Sequence, residues 1–397
     1  MTATPALAPV DHGIDGARVR PLRVAALIDT YDVSGPGRQL VGVARALAER
    51  GVDVHIVMFH RAGRGHPPFA DFMHKLGTPF TIVPENGATD TALPGRLRRV
   101  LRDLRPDVIE THSYKTTALV YLLRKFGGLR QPWLGFFHGA TSENAKVRAY
   151  HWLDGRLLRD ADLTVVMSER HRREFAHPGA RVRVLYNSVV PMPDEPSAEL
   201  LLPAAVEAAV AAGDPLVGVV GRLSPEKGVD LYLRALALLE ARGVRFVSVL
   251  AGDGPERAAY EALAAELRVG HRVAFLGTVA AMQSLYRRLE LLVIPSRSEG
   301  LPNVLLEAMR ADVPVVSTSV GAVPEVLGGT QAGVLIPPAN VEALADAIAA
   351  SLRLKSDPTS RTARAEVATR FSLDHRAAEH VRAYREVVAA AAAGATA

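Results

Sequence analysis

No cysteine occurs among the 397 residues. This excludes disulfides, cysteine nucleophiles and thiolate-bound metals, and it is compatible with a reducing cytoplasm. No apolar run approaches the roughly 18–20 residues of a membrane span. Residues 1–20 carry Asp11 and Asp15 and have no apolar core before a cleavage site, so they read as a disordered leader rather than a signal peptide. Aromatics make up only 6% of the chain. The basic segments lack interleaved aromatics, which argues against a nucleic-acid partner. There is no Walker A loop, no zinc-binding helix and no G-x-S-x-G elbow.

What is present is an ordinary globular composition, 48% hydrophobic and 22% charged. The length exceeds one ordinary core and predicts two domains. The net charge of +5 is uneven: residues 1–190 hold 27 Lys and Arg against 18 Asp and Glu, and the rest hold 20 against 24. A basic first half predicts an acidic partner. The helix expected over Leu93–Leu104 concentrates this charge, with Arg96, Arg98, Arg99, Arg102 and Arg105 around its leucines. Such a run is commonly a solvated face; its sharper reading is peripheral contact with anionic membrane.

Strands and helices alternate along the whole chain. Arg23–Asp29 reads as a strand, Ser34-Gly-Pro-Gly37 as a tight loop, Arg38–Arg50 as an amphipathic helix and Val52–Phe59 as the next strand. The glycines do not match G-x-G-x-x-G, and no acidic residue ends the second strand, so NAD is not expected. Two later strands end in histidines, His112 and His138, and His138 beside Gly139 is the better site candidate. Val182–Val190 closes residues 21–190 as a first domain, and Pro191, Pro193 and Pro196 predict a stiff linker. Residues 191–370 repeat the alternation, and 371–397 hold a final amphipathic helix and an alanine-rich tail. The expected class is α/β, with two doubly wound parallel sheets.

The chemistry collects at strand C-termini, where open α/β sheets bind ligands. Arg222 and Lys227 stand in a loop framed by Gly221 and Gly228, which suits a diphosphate. Gly252-Asp-Gly254-Pro is a second open turn. Glu299 and Glu307 flank the start of a helix after the strand Leu291–Ile294, as acceptors for sugar or ribose hydroxyls. Glu299 alone reads equally as a helix-start carboxylate. Together these features describe a pocket for a nucleotide diphosphate sugar. Asp160-Ala-Asp162 has metal-pair spacing but precedes its strand, on the wrong edge of the sheet. No metal is expected.

The segments G-R-L-S-P-E-K-G at 221–228, G-D-G-P at 252–255, S-E-G-L-P-N-V-L-L-E-A-M at 298–309 and G-A-V-P-E at 321–325 resemble those of the retaining GT-B glycosyltransferases of family 4. Tyr186-Asn187-Ser188-Val189 is similar to the family's Pro-Asn-Gly-Val segment. The resemblance implies two Rossmann-like domains facing a cleft, with the Phe371 helix crossing back onto the first. It implies that Arg222 and Lys227 hold the leaving diphosphate, Glu307 the ribose, and Glu299 with the amides of Gly300 and Leu301 the donor sugar. Gly252 and Gly254 would line the donor, while Gly35, Gly37 and His138 would face the reacting sugar. No cofactor is implied beyond the co-substrate, and the acceptor is unidentified. The expected location is cytoplasmic, at the inner face of the membrane if the arginine helix binds lipid. The sequence departs from the family at Ser34–Gly37, where many members have Gly-Gly and an acidic residue, at Ala322 and at Ser188. Two other readings remain: a non-catalytic sugar-nucleotide-binding protein and a nucleotide-sugar epimerase.

Overall fold

The structure is a computed structural model that describes residues 20–395, apart from 62, 88–89, 139–144 and 191–198. The expected leader (except Arg20), the three linker prolines and Gly139 lie outside the described residues.

The first half runs β1 (Leu22–Ile28), α1 (Gly35–Ala48), β2 (Val52–Arg61), α2 (Pro68–Lys75), β3 (Phe80–Glu85), α3 (Leu93–Leu104), β4 (Val108–Thr111), α4 (Tyr114–Phe126), β5 (Trp133–Phe137), α5 (Ala145–Leu157), β6 (Leu163–Val166), α6 (Glu169–Phe175) and β7 (Val182–Val184). Its seven strands are all parallel, in the order β3-β2-β1-β4-β5-β6-β7. The second half runs α7 (Ala204–Ala211), β8 (Leu216–Val220), α8 (Val229–Ala241), β9 (Val247–Ala251), α9 (Arg257–Glu266), β10 (Val273–Gly277), α10 (Met282–Arg288), β11 (Leu291–Ile294), α11 (Asn303–Arg310), β12 (Val315–Thr318), α12 (Val323–Leu327), β13 (Gly333–Ile336), α13 (Val341–Ser351), α14 (Pro358–Arg370) and α15 (Leu373–Ala395). Its six parallel strands are ordered β10-β9-β8-β11-β12-β13. These are two doubly wound α/β domains. In each, the strand order reverses beside the first strand, which places a ligand crevice at the strand C-termini there.

Burial follows from the sequence. β1, β5 and β11 are near-continuous apolar runs, and β4 and β12 are buried along their whole length, because helices cover both sheet faces. α3 buries Leu93, Leu97 and Leu101, four residues apart, while Arg98, Arg99, Arg102 and Arg105 remain exposed. Arg96 is tied back to Asp90 and to the Pro84 carbonyl. From the far end of the chain, α15 packs Ala377, Ala383, Tyr384 and Val387 into the core of the first domain, beside Leu40, Val43 and Leu47 of α1.

One expectation is corrected. Ser34–Gly37 is not a loop: the Ser34 hydroxyl accepts from the Gly37 amide and caps α1, with Gly35, Pro36 and Gly37 in its first turn. A serine cap and a first-turn proline are strong helix-start signals, and neither glycine needs positive φ. The segment Val182–Val190 that closes the first domain is a strand only at its start. β7 stops at Val184 because Asn187 and Ser188 turn away to bond across the domain junction, and Val189 bridges to Ser372.

Candidate functional site

The second domain's crevice is built from loops stacked backbone on backbone. β8 ends into Gly221 and exposed Arg222, and a short 3-10 turn over Pro225–Lys227 leads to Gly228, left-handed at φ 66°, which starts α8. A Cβ on Gly228 would lie 2.1 Å from the Pro295 carbonyl oxygen. On Gly252 (φ 138°) it would lie 1.9 Å from the Gly221 oxygen, and on Gly254 2.3 Å from the Leu223 oxygen. The Leu223 amide donates to the Asp253 oxygen at 3.0 Å. So Gly252 and Gly254 let one loop lie on another, a role in shaping the crevice that spacing did not reveal. Gly252→Ala is expected to cost more than about 1 kcal/mol, combining a backbone collision with a strained φ. Urea unfolding of the variant measures this, and an unchanged midpoint would contradict it.

Within this frame the Lys227 ammonium donates to Glu299 Oε1 at 2.7 Å, and the Ser296 hydroxyl donates to the same oxygen at 2.7 Å. The Glu299 side chain is 9% exposed and that of Lys227 28%. Glu299 does not cap α11, whose N-cap is Pro302 without a side-chain bond. Its helix-start reading is therefore replaced by an ion pair that brings two expected site residues together. The Arg222 guanidinium has no hydrogen bond or ion pair among the described residues, a cation free for an anionic ligand.

Glu307 lies apart from this pair. It accepts from the Tyr286 hydroxyl at 2.7 Å and faces Arg38 of the first domain at 4.0 Å. Burial, then the neighbouring Glu307 carboxylate, pushes the Tyr286 hydroxyl well above its ordinary value. Arg38 carries no glycine or motif signal and was not expected at the site.

The opposite wall comes from the first domain. His138 directly follows β5, and its carbonyl oxygen is so near Gly300 that a Cβ there would lie 2.4 Å away. Gly321, left-handed at φ 57°, packs in the same way on the Glu299 and Gly300 carbonyls. The two strand-end histidines meet: His112 Nδ1 is 3.1 Å from His138 Nε2. Behind them, buried Glu110 lies 3.3 Å from His112 Nε2 and accepts from the Tyr384 hydroxyl of α15 at 2.7 Å. Glu110 thus faces His112 Nε2, and His112 Nδ1 is left facing His138 Nε2, so the three side chains form one chain of polar contacts. Burial would push Glu110 up, yet hydrogen bonds and charge from His112, His380 and Tyr384 hold it below its usual range. Burial, then His112 and Arg376, holds His138 well below the ordinary histidine value.

A polar seam joins the walls. Gln39 donates to the Ser188 carbonyl at 2.7 Å and to Asn303 Oδ1 at 3.0 Å, and it accepts from Arg376 of α15. Asn187 donates to Asn303 Oδ1 at 3.1 Å and to the Leu301 carbonyl at 2.9 Å. Glu325 accepts from the Glu169 amide at 3.0 and 2.9 Å and from the Tyr186 hydroxyl at 2.6 Å.

The remaining candidates divide. The Gly35 carbonyl faces the Asn303 amide at 3.4 Å across the cleft. Gly37 is buried where a Cβ would lie 2.8 Å from the Phe69 ring, so its smallness serves helix packing. The Leu301 side chain belongs to the second domain's core. Asp162 holds Arg124 at 2.5 Å and the Trp133 amide at 2.8 Å, and Asp160 pairs with Lys125 at 3.3 Å. Both serve the N-terminal edge of the sheet. Among the described residues no three His, Asp or Glu side chains converge as a metal-binding group.

Comparison with known proteins adds the following. A family model described as Glycosyl transferases group 1 matches residues 206–368, and one described as Glycosyltransferase Family 4 matches residues 33–191. An alpha-D-kanosaminyltransferase of Streptomyces kanamyceticus is 35% identical over 180 residues, which is 44% of this chain and 46% of that protein. An uncharacterized glycosyltransferase of Methanocaldococcus jannaschii is 29% identical over 301 residues, covering 70% of this chain and 75% of that one. The match thus spans about half the length of the first relative and three quarters of the second. Anabaena HepE, solved in complex with UDP-glucose, superposes with a TM-score of 0.74 at 20% identity, covering 91% of this chain and 100% of that one. At that identity the likeness is one of fold.

Proposed function

This chain belongs to the group 1, family 4 glycosyltransferases, and on that premise we propose that it moves a hexose-type sugar from a nucleotide diphosphate sugar to an acceptor hydroxyl, retaining configuration without a metal. The observation that carries this reading is the Lys227–Glu299 pair, set in a glycine-framed crevice with His138 on the facing wall.

Arg222 and Lys227 bind the diphosphate and stabilise the charge that develops on it as the anomeric C–O bond breaks. Glu307, already oriented by Tyr286, takes the ribose hydroxyls. Glu299 and the following amides hold the donor sugar. His138 and Gly35 face that sugar from the first domain. The acceptor oxygen bonds to the anomeric carbon on the face the phosphate leaves, and its proton passes to the departing phosphate oxygen. Closure of the cleft excludes water.

Release of free nucleotide tests the reading. The enzyme releases it slowly with water and faster with an acceptor; a non-catalytic binder releases none, and an epimerase interconverts donors without acceptor. Glu307→Ala is expected to raise the donor KM by about tenfold or more, since a charge-assisted contact is worth about 1.5–3 kcal/mol. Undiminished transfer in that variant would remove Glu307 from the site. We further propose that exposed Arg98, Arg99 and Arg102 of α3 touch anionic lipid at the cytoplasmic face, a contact that absence of binding to anionic vesicles at low salt would refute. Among the described residues no helix is long and apolar enough to cross a membrane.

A further inference from the structure

A second concavity, of about 770 Å³, opens on the ligand edge of the first domain's sheet. Its polar floor comes from four strand ends: Asp29 after β1, Arg61 of β2, Glu85 of β3 and Lys115 after β4. The Lys115 ammonium donates to Asp29 at 3.2 Å and to Glu85 at 2.7 Å, and Arg61 reaches Glu85 at 3.5 Å. Two cations balance two of the three lining carboxylates, and the third, Asp90, is paired with Arg96, so the floor presents donors and acceptors without net charge. Such a surface recognises hydroxyl groups rather than an ionised ligand. Beside it Tyr114 and Tyr150 stack with ring centroids 4.5 Å apart and 12° between planes, a flat wall of the kind a sugar ring lies against.

The far end differs in character. Leu122 of α4 and Leu153 of α5 line the groove, and Phe126 and Trp152 stand on the same two helices, 85% and 72% exposed. With Tyr114, these are five of the six large apolar side chains exposed among the described residues. Clustering of that kind marks an interaction surface rather than scattered surface apolarity. From Tyr114 to Leu122 the α4 lining of the groove runs about 12 Å. Lys125 precedes Phe126 on α4, and exposed Arg156 follows Trp152 by one turn on α5. The groove is thus polar at the ligand edge of the sheet and apolar at the other end, and cations stand on the two helices that carry the apolar end.

We infer that this groove binds the acceptor, and that the acceptor is an amphiphile: a hydroxylated head on an apolar chain, presented at an anionic surface. The inference rests on the glycosyltransferase reading and names the acceptor class for it. Hydroxyls of the head pair with Lys115, Asp29 and Glu85, its ring lies on Tyr114, and its chain runs past Leu122 and Leu153 toward Phe126 and Trp152.

Trp152, next to the groove residue Leu153, serves as the reporter, because the other tryptophan, Trp133, is fully buried. The full chain is titrated with octyl β-D-glucoside below its micelle concentration, with methyl β-D-glucoside, and with octyl sulfonate. Octyl glucoside is expected to shift Trp152 emission to the blue at a half-saturation at least about tenfold below that of either control. The Leu122→Ser/Leu153→Ser variant is expected to weaken that response about tenfold and to keep the thermal shift given by UDP. Equal response to methyl glucoside would make the acceptor a soluble one, and equal response to octyl sulfonate would reduce the site to a nonspecific apolar patch; either overturns the inference. So does an absence of response, or a stable dimer that buries Trp152. Binding of UDP, GDP, ADP or dTDP without a groove response refutes the groove alone, whereas a groove response with none of the four bound refutes the donor reading alone.

Discussion

Lys227→Ala is expected to lower the transfer rate by about 10²–10³-fold while the protein stays folded. The effect falls mainly on kcat, because the ammonium matters most when charge builds on the departing diphosphate. Folding is spared because Lys227 is a partly exposed loop residue whose one strong contact is Glu299, so its loss removes no core packing. Glu299 keeps the Ser296 hydroxyl after the change. Lys227→Arg is not a neutral control, since a planar fork replaces a compact charge. Arg222→Ala, which breaks no contact in the described structure, is expected to lose activity with no change in unfolding midpoint. Nucleotide release with saturating donor checks both variants. Rates within about threefold of the parent would place the charge stabilisation elsewhere.

The second large effect is on acid stability. His380 of α15 is buried, its ring near Phe136 and its Nδ1 on the Arg376 carbonyl, and burial with the Arg376 charge lowers it from 6.5 to about 4. His138 is lowered in the same direction. Between about pH 4 and 6.5 the unfolded chain binds protons that these folded histidines refuse. Their contribution is therefore complete above pH 6.5 and is lost as the pH falls toward 4. For His380 alone the loss is on the order of 3 kcal/mol. Glu110, held below its ordinary 4.5, adds a further loss at lower pH still, as it is protonated. Urea midpoints at pH 7.5 and 4.5 measure the drop, and His380→Gln is expected to make the profile flatter. A flat profile in the parent chain would show that these side chains meet water.

The strand-and-helix alternation was legible because it is local. Apolar runs of β1 and β11, leucines four apart on α3, and glycines at loop ends report their own surroundings within a few residues. The crevice at the ends of β8 and β11 was legible for the same reason, since Arg222, Lys227, Glu299 and Glu307 lie in the loops and helix start that follow those strands. Spacing could not say what these groups touch. Glu299 looked equally like a helix-start carboxylate until the fold brought Lys227, 72 positions earlier in the chain, onto its oxygen. Glu307 faces Arg38, and Asn303 faces Gln39, 264 positions away. Glu110 meets Tyr384 across 274 positions. Arg38, Gln39 and Tyr384 carry no signal in their own segments, because a hydrogen bond between distant positions leaves no periodicity behind. The glycines divide in the same way. Sequence alone determined that Gly228, Gly252 and Gly254 sit in loops at strand ends. Only the tertiary structure decided that each admits another backbone within van der Waals reach, and that Gly37 makes room for a phenylalanine ring rather than for a ligand.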